Sequence, residues 1–88
     1  MTFKYHFELQ PIAGQYVAVA IGKNAEKFSG VIRLNESGAK IFAFLQEGKT
    51  AGQTVEEMLK LYSASEADIR RDVDKIVSML VEKGLASN

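Results

Sequence analysis

The feature that constrains this chain most is a change of period. From Ser29 to Leu45 it reads SGVIRLNESGAKIFAFL, and the switch falls at Leu34-Asn35. Before that joint, apolar residues recur every second position, as on a half-buried strand. After it they recur at helical spacing. Asn35 is a good N-cap, because its side-chain oxygen can accept a backbone N–H two or three residues on. Glu36 then sits at the positive end of the helix dipole. This joint fixes how a sheet meets a set of helices.

Upstream, Phe3, Tyr5, Phe7 and Leu9 alternate with Lys4, His6, Glu8 and Gln10, which predicts one half-buried strand. Pro11-Ile12-Ala13-Gly14 ends it with turn residues. Gln15 to Ile21 predicts a second strand. Val17, Val19 and Ile21 share one side, and Tyr16, Ala18 and Ala20 the other. Two apolar faces suit a central strand. Gly22 to Lys27 is polar and reads as a loop. Phe28 to Leu34 predicts a third strand, with Ile32 and Leu34 on one face and Val31 and Arg33 on the other. Short connections favour an antiparallel meander.

Downstream, Ala39, Ile41, Phe42 and Leu45 form the stripe of a helix from Asn35 to about Glu47, with Gly48 as its C-cap. Gly38 in the first turn costs up to ~1 kcal/mol against Ala, which suggests close packing against another backbone. Thr54-Val55-Glu56-Glu57 matches a capping box and predicts the start of a helix burying Val55, Met58, Leu59 and Tyr62. Ser65 caps a last helix whose core face is Ile69, Val73, Ile76 and Leu80, with Ser63 to Glu66 as a competing box. Gly84 ends it, and Leu85 folds back as the apolar partner of a Schellman cap. The expected fold is α+β: a three-stranded antiparallel sheet followed by three helices (βββααα), in a single domain of residues 1–88.

Chemistry is sparse. The chain has 88 residues and no cysteine, so disulfides and thiolate metal sites are excluded. Its one histidine, His6, lies on the polar side of the first strand with no second histidine to share a metal. The serines sit at caps or on polar faces. Glu56-Glu57 and Glu66-Asp68 sit at helix starts, where carboxylates favour the dipole. The glycines match no phosphate-loop spacing, so no cofactor is expected. Eleven basic residues cancel eleven acidic ones, whereas a nucleic-acid module usually carries a basic excess. No apolar run approaches the ~20 residues of a membrane span, and MTFKYHFELQ lacks the apolar region of a signal peptide. The expected location is the cytoplasm.

Two surface features remain. The third strand is expected to be a sheet edge, blunted only by Gly30 and Arg33. Such an edge can be merely tolerated, or it can take up an extended peptide as a further strand. On the last helix, about 100° per residue places Arg70, Asp74, Val77 and Val81 on one flank, with Asp72 and Met79 opposite. The valine flank reads either as buried or as one wall of a groove rimmed by Arg70 and Asp74.

The order G-V-I-R-L-N-E-S-G-A-K-I-F-x-F-L, then G-K-T, a short helix, and D-V-x-x-x-V-x-x-L-x-x-x-G-L resembles the PqqD family, whose members are also called RiPP recognition elements. The likeness runs from about Phe7 to Leu85. Thr50 to Gln53 departs from it, as a few residues beyond the usual passage from the G-K-T loop into the helix. The resemblance implies a winged helix-turn-helix without enzymatic activity. Its ligand would be the leader of a ribosomally made precursor peptide, presented to a modifying enzyme that is often a radical-SAM one. Carried over by position, the strand contacts are Gly30, Val31, Ile32 and Arg33, and the helix contacts lie among Arg70, Asp74 and Val77. Two other readings stand beside it. One is a winged-helix DNA binder using Arg70, Arg71 and Lys75, which are interleaved with Asp68, Asp72 and Asp74. The other is a homodimer that pairs the exposed edge strand with its symmetry mate.

Overall fold

The computed structural model describes residues 1–23, 25–28 and 31–87. Alternation produces the sheet as expected, with different ends. The first alternating run divides at a bend around Lys4 and Tyr5 into β1 (Thr2–Phe3) and β2 (His6–Ile12). β2 runs on through Pro11 and Ile12, so the turn is only Ala13-Gly14. Both turn residues have positive φ, 50° and 80°, as a two-residue hairpin of the type I′ kind requires. β3 (Gln15–Ile21) returns in unbroken antiparallel register, from Ile12↔Gln15 to His6↔Ile21.

A 3₁₀ turn, Ala25–Lys27, lies within the segment expected to be plain loop. β4 is shorter than the expected third strand. It spans only Ile32–Leu34, with Phe28 outside it and Ser29 and Gly30 outside the described residues. It pairs antiparallel with β3, Ala18 facing Ile32 and Tyr16 facing Leu34. The sheet order is β2-β3-β4, so β3 is the central strand that its two apolar faces predict.

The joint at Leu34-Asn35 behaves as read. Asn35 caps α1 (Glu36–Gln46), its Oδ1 accepting the Gly38 N–H at 2.8 Å. Gly38 is crowded by side chains rather than by a second backbone. A Cβ there would lie 2.9 Å from Asn35 Oδ1, 3.6 Å from Leu34 Cδ2 and 3.7 Å from Ile76 Cδ1.

The next helix corrects the expectation. α2 spans Ala51–Leu61, and its capping box is Thr50 with Gln53 rather than Thr54 with Glu57. The Gln53 N–H donates to Thr50 Oγ1 and the Thr50 N–H donates to Gln53 Oε1. Thr54 is fully buried inside the helix, with its hydroxyl donating to the Thr50 carbonyl at 2.9 Å. A side chain engaged in the core and bonded to the preceding turn cannot also cap a helix start. The segment Thr50 to Gln53 is therefore the cap and first turn of α2.

α3 spans Glu66–Glu82, capped by Ser65 Oγ, which accepts the Asp68 N–H. Gly84 has φ 70° and closes a Schellman turn, in which the Leu85 N–H donates to the Leu80 carbonyl at 2.9 Å. Leu85 is then buried, as its pattern predicts. Beyond it, β5 (Ala86–Ser87) pairs with β1, so the two ends of the described chain lie side by side.

The core lies between the inner face of the sheet and the three helices. Phe7, Ala18, Ile32 and Leu34 meet Ile41, Phe42, Leu45, Val55, Met58, Ile69, Val73 and Leu80. Phe7 is its aromatic centre. Its ring meets Phe42 edge-on at 5.3 Å and Phe28 at 5.7 Å, with Phe3 and Tyr5 close by. Edge-to-face pairs of this kind add about 0.5–1.5 kcal/mol each beyond the area buried.

Candidate functional site

Strand parity decides which main-chain groups the sheet leaves open. In an antiparallel strand, each residue points both its N–H and its C=O to one side, and neighbours point to opposite sides. The Phe7 N–H donates to Gln46 Oε1 at 2.7 Å, and Gln46 Nε2 donates to the Phe7 carbonyl at 2.9 Å. Phe7 therefore faces away from β3, and His6, Glu8, Gln10 and Ile12 face toward it. Their partners Ile21, Val19, Val17 and Gln15 on β3 face back. Tyr16 and Ala18 must then face β4, where they pair with Leu34 and Ile32. Arg33 is left with its N–H and C=O directed out of the sheet. Among the described residues, β3 is the only strand beside β4.

This is the site's central geometry. Of the strand residues expected to contact a ligand, Arg33 presents its main chain outward, and extended backbone would orient Val31 likewise. Ile32 spends its main chain on Ala18 and is 6% exposed. Gly30 lies outside the described residues. Val31 is 62% exposed, just before the strand begins.

A hollow of about 200 Å³ opens where β4 passes into α1. Its walls include Asn35, Gly38 and Ile41 on one side and Asp72, Lys75 and Ile76 of α3 on the other. Gly38 keeps the near wall low, because a larger residue would fill the space toward Ile76. The expected helix contacts sit elsewhere on α3. Arg70 and Asp74 border a wider and more open hollow of about 600 Å³ along the solvent side of the helix. Val77 is half-buried against the core, and Val81 is 42% exposed. Periodicity marks both flanks of α3, but it holds no sign of which one turns toward the strand. Asp72 was thus legible as a flank residue and Ile76 as part of the core face, but neither as a wall of this hollow. Gln46 had no signal at all, since nothing local distinguishes it from any polar residue at a helix end.

The arginines of α3 are engaged along their own helix. Arg71 lies 3.2 Å from Asp68 and Arg70 lies 3.9 Å from Glu66. Exposed pairs like these add little stability, but they offset the charge a polyanion would read. Among the described residues no group of metal-ligating side chains comes together, and no helix is long and apolar enough to cross a membrane.

A small α+β module in which edge strand β4 lies beside a helix-walled hollow, with β3 its only strand neighbour among the described residues, is a winged helix-turn-helix. The sequence matches the family described as coenzyme PQQ synthesis protein D (PqqD) over residues 15–86, and the chain belongs to that family. No curated protein matches it. Among solved structures it is similar to TbiB1, determined in complex with the TbiA(beta) leader peptide. That match has a TM-score of 0.73 at 20% sequence identity, covering 100% of this chain and 96% of the other.

Proposed function

We propose that this protein is a non-catalytic recognition module for the leader of a ribosomally synthesised precursor peptide. The observation that carries the reading is the outward-facing main chain of Arg33 on an edge strand with a hollow beside it. A leader in extended form would add to the sheet there, by hydrogen bonding to Arg33 and, one step upstream, to Val31. Its alternate side chains would point to the face that Ile32 and Leu34 occupy and so toward the hollow. The shared family, and the leader peptide named with TbiB1, support this choice of ligand.

On this reading Gly30 is a further proposed contact, Ile32 belongs to the strand that the leader joins, and α3 supplies the wall. The hollow's lining favours Asp72, Lys75 and Ile76 as the nearest α3 contacts, ahead of Arg70, Asp74 and Val77. The bound leader would be handed to a modifying enzyme, of the radical-SAM kind in the reading we favour, in the cytoplasm where precursors are made.

The test is a titration of ¹⁵N-labelled protein with the leader of a precursor encoded beside this gene. Amide shifts should centre on residues 31–35 and 72–76. Shifts that avoid both segments overturn the proposed groove. Lys substitutions at Asp72 and Asp74 then compare the two flanks of α3, with the larger loss of affinity expected at Asp72.

A further inference from the structure

We infer that the recognised peptide carries a carboxylate side chain in register with Arg33, two residues from an aliphatic side chain in register with Val31. This inference rests on the leader-binding reading above and specifies the ligand's chemistry at that edge.

Arg33 lies between the buried Ile32 and Leu34, so its side chain stands on the sheet face turned away from the helices; extended backbone would place the 62% exposed Val31 on the same face. There Arg33 lies opposite Val17, with Gln15 and Val19 on the diagonals. Glu8 shares that face, but it stands opposite Val19 on β2, two strands away from Arg33. Of the three arginines, Arg70 and Arg71 each have a carboxylate within 4.0 Å. Among the described residues Arg33 has none. A cation bordered by valines thus stands at the rim of the open edge.

An added strand completes this arrangement. Because Arg33 directs its N–H and C=O outward, the residue in register with it would sit about 5.5 Å away, Cα to Cα, in an antiparallel pairing. That residue's side chain shares Arg33's face. Opposite charges in register across a ladder are favourable and like charges unfavourable. A guanidinium also matches a carboxylate with two parallel hydrogen bonds. One step along the same face the neighbour is Val31, and an aliphatic partner there covers a side chain that is 62% exposed. The intervening residue points to the other face, toward the hollow. The pattern is therefore acidic–any–aliphatic in one chain direction and its reverse in the other.

Selection from a displayed library of random peptides tests this without a known precursor. Wild-type protein should enrich Asp or Glu two positions from Val, Ile or Leu. Arg33→Glu, an exposed change that leaves the buried Ile32 and Leu34 in place, should enrich Lys or Arg at the acidic position instead. By fluorescence anisotropy, a selected peptide should bind wild type up to about five-fold more tightly than its Glu→Lys twin. Arg33→Glu should invert that order. Enrichment with the same charge pattern for both proteins, or a Kd ratio unmoved by the substitution, overturns the carboxylate assignment while leaving strand addition standing. Failure to enrich any peptide, or amide shifts from the selected peptide that avoid β4, overturns the leader-binding reading and this inference with it.

Discussion

The two edges of the sheet are built from similar strands and treated in opposite ways. On β2, parity turns Phe7, Leu9 and Pro11 outward. The Gln46 amide occupies both main-chain groups of Phe7, and Pro11 has no N–H to give. Only Leu9 keeps a complete outward pair, and it stands between a residue already bonded by Gln46 and a proline that cannot donate. On β4 the outward residue is Arg33, with no strand beside it among the described residues. A side chain from the end of α1 thus closes one edge. The other is left open at the start of the same helix. The sheet thus has one plugged edge and one open edge, and each half of that statement can be broken separately.

The largest effect is expected at Phe7, which holds the closed edge in place. Phe7→Ala removes the ring that meets Phe42 and Phe28 while keeping the main chain that Gln46 grips. Truncations of buried aromatics cost about 3–5 kcal/mol, through lost burial and the cavity left behind. The measurement is chemical denaturation. A loss below about 1 kcal/mol, well under that range, would mean that main-chain pairing rather than the aromatic centre anchors β2.

Gln46→Leu opens the plugged edge. It leaves a half-buried N–H and C=O of Phe7 without partners, at a combined cost of about 2 kcal/mol. That corresponds to a fall in Tm of roughly 8–16 °C for a domain of this size. Self-association through β2 should follow, seen as a sedimentation coefficient that rises more steeply with concentration than that of the unsubstituted protein. A variant that is destabilised but stays monomeric would reduce Gln46 to a local hydrogen-bonding role.

The contrast between the edges also separates what was legible in the sequence from what was not. The joint at Leu34-Asn35, the central place of β3 and the Schellman turn at Gly84-Leu85 each rest on residues within a few positions of one another. Local physics sufficed for them. The start of α2 failed for a local reason too, since Thr50-x-x-Gln53 and Thr54-x-x-Glu57 both satisfy a capping pattern. Burial of Thr54 decided between them, and burial depends on the tertiary fold. The closing of β2 by Gln46, 39 residues away, is wholly tertiary. The same holds for the flank of α3. Helical spacing set Asp72 and Ile76 apart from Arg70, Asp74 and Val77, while the packing of α3 against α1 chose which group lines the hollow.

Arg33→Pro tests the open edge with little cost to the fold. The Arg33 N–H takes no part in pairing with β3, so removing it breaks no ladder bond. The preceding residue, Ile32, is already in the extended conformation that a following proline favours. A peptide adding to β4 would lose a main-chain donor and meet the ring. We expect at least a tenfold weaker Kd, about 1.4 kcal/mol, with thermal unfolding nearly unchanged. Unaltered peptide binding would move the site away from this edge.

Gly38→Ala is expected to have the smallest effect, and it sharpens the role of the hollow. Replacing glycine favours the helix by up to about 1 kcal/mol. The new methyl would lie 2.9 Å from Asn35 Oδ1, and loosening that cap costs about the same amount. The two nearly cancel, so stability should stay within about 0.5 kcal/mol of the parent by denaturant midpoint. The methyl also projects between Leu34 and Ile76, into the space that a peptide side chain would use. If that space is the reason for glycine here, peptide affinity falls while stability holds. If affinity is unchanged and stability drops, the glycine serves the Asn35 cap alone.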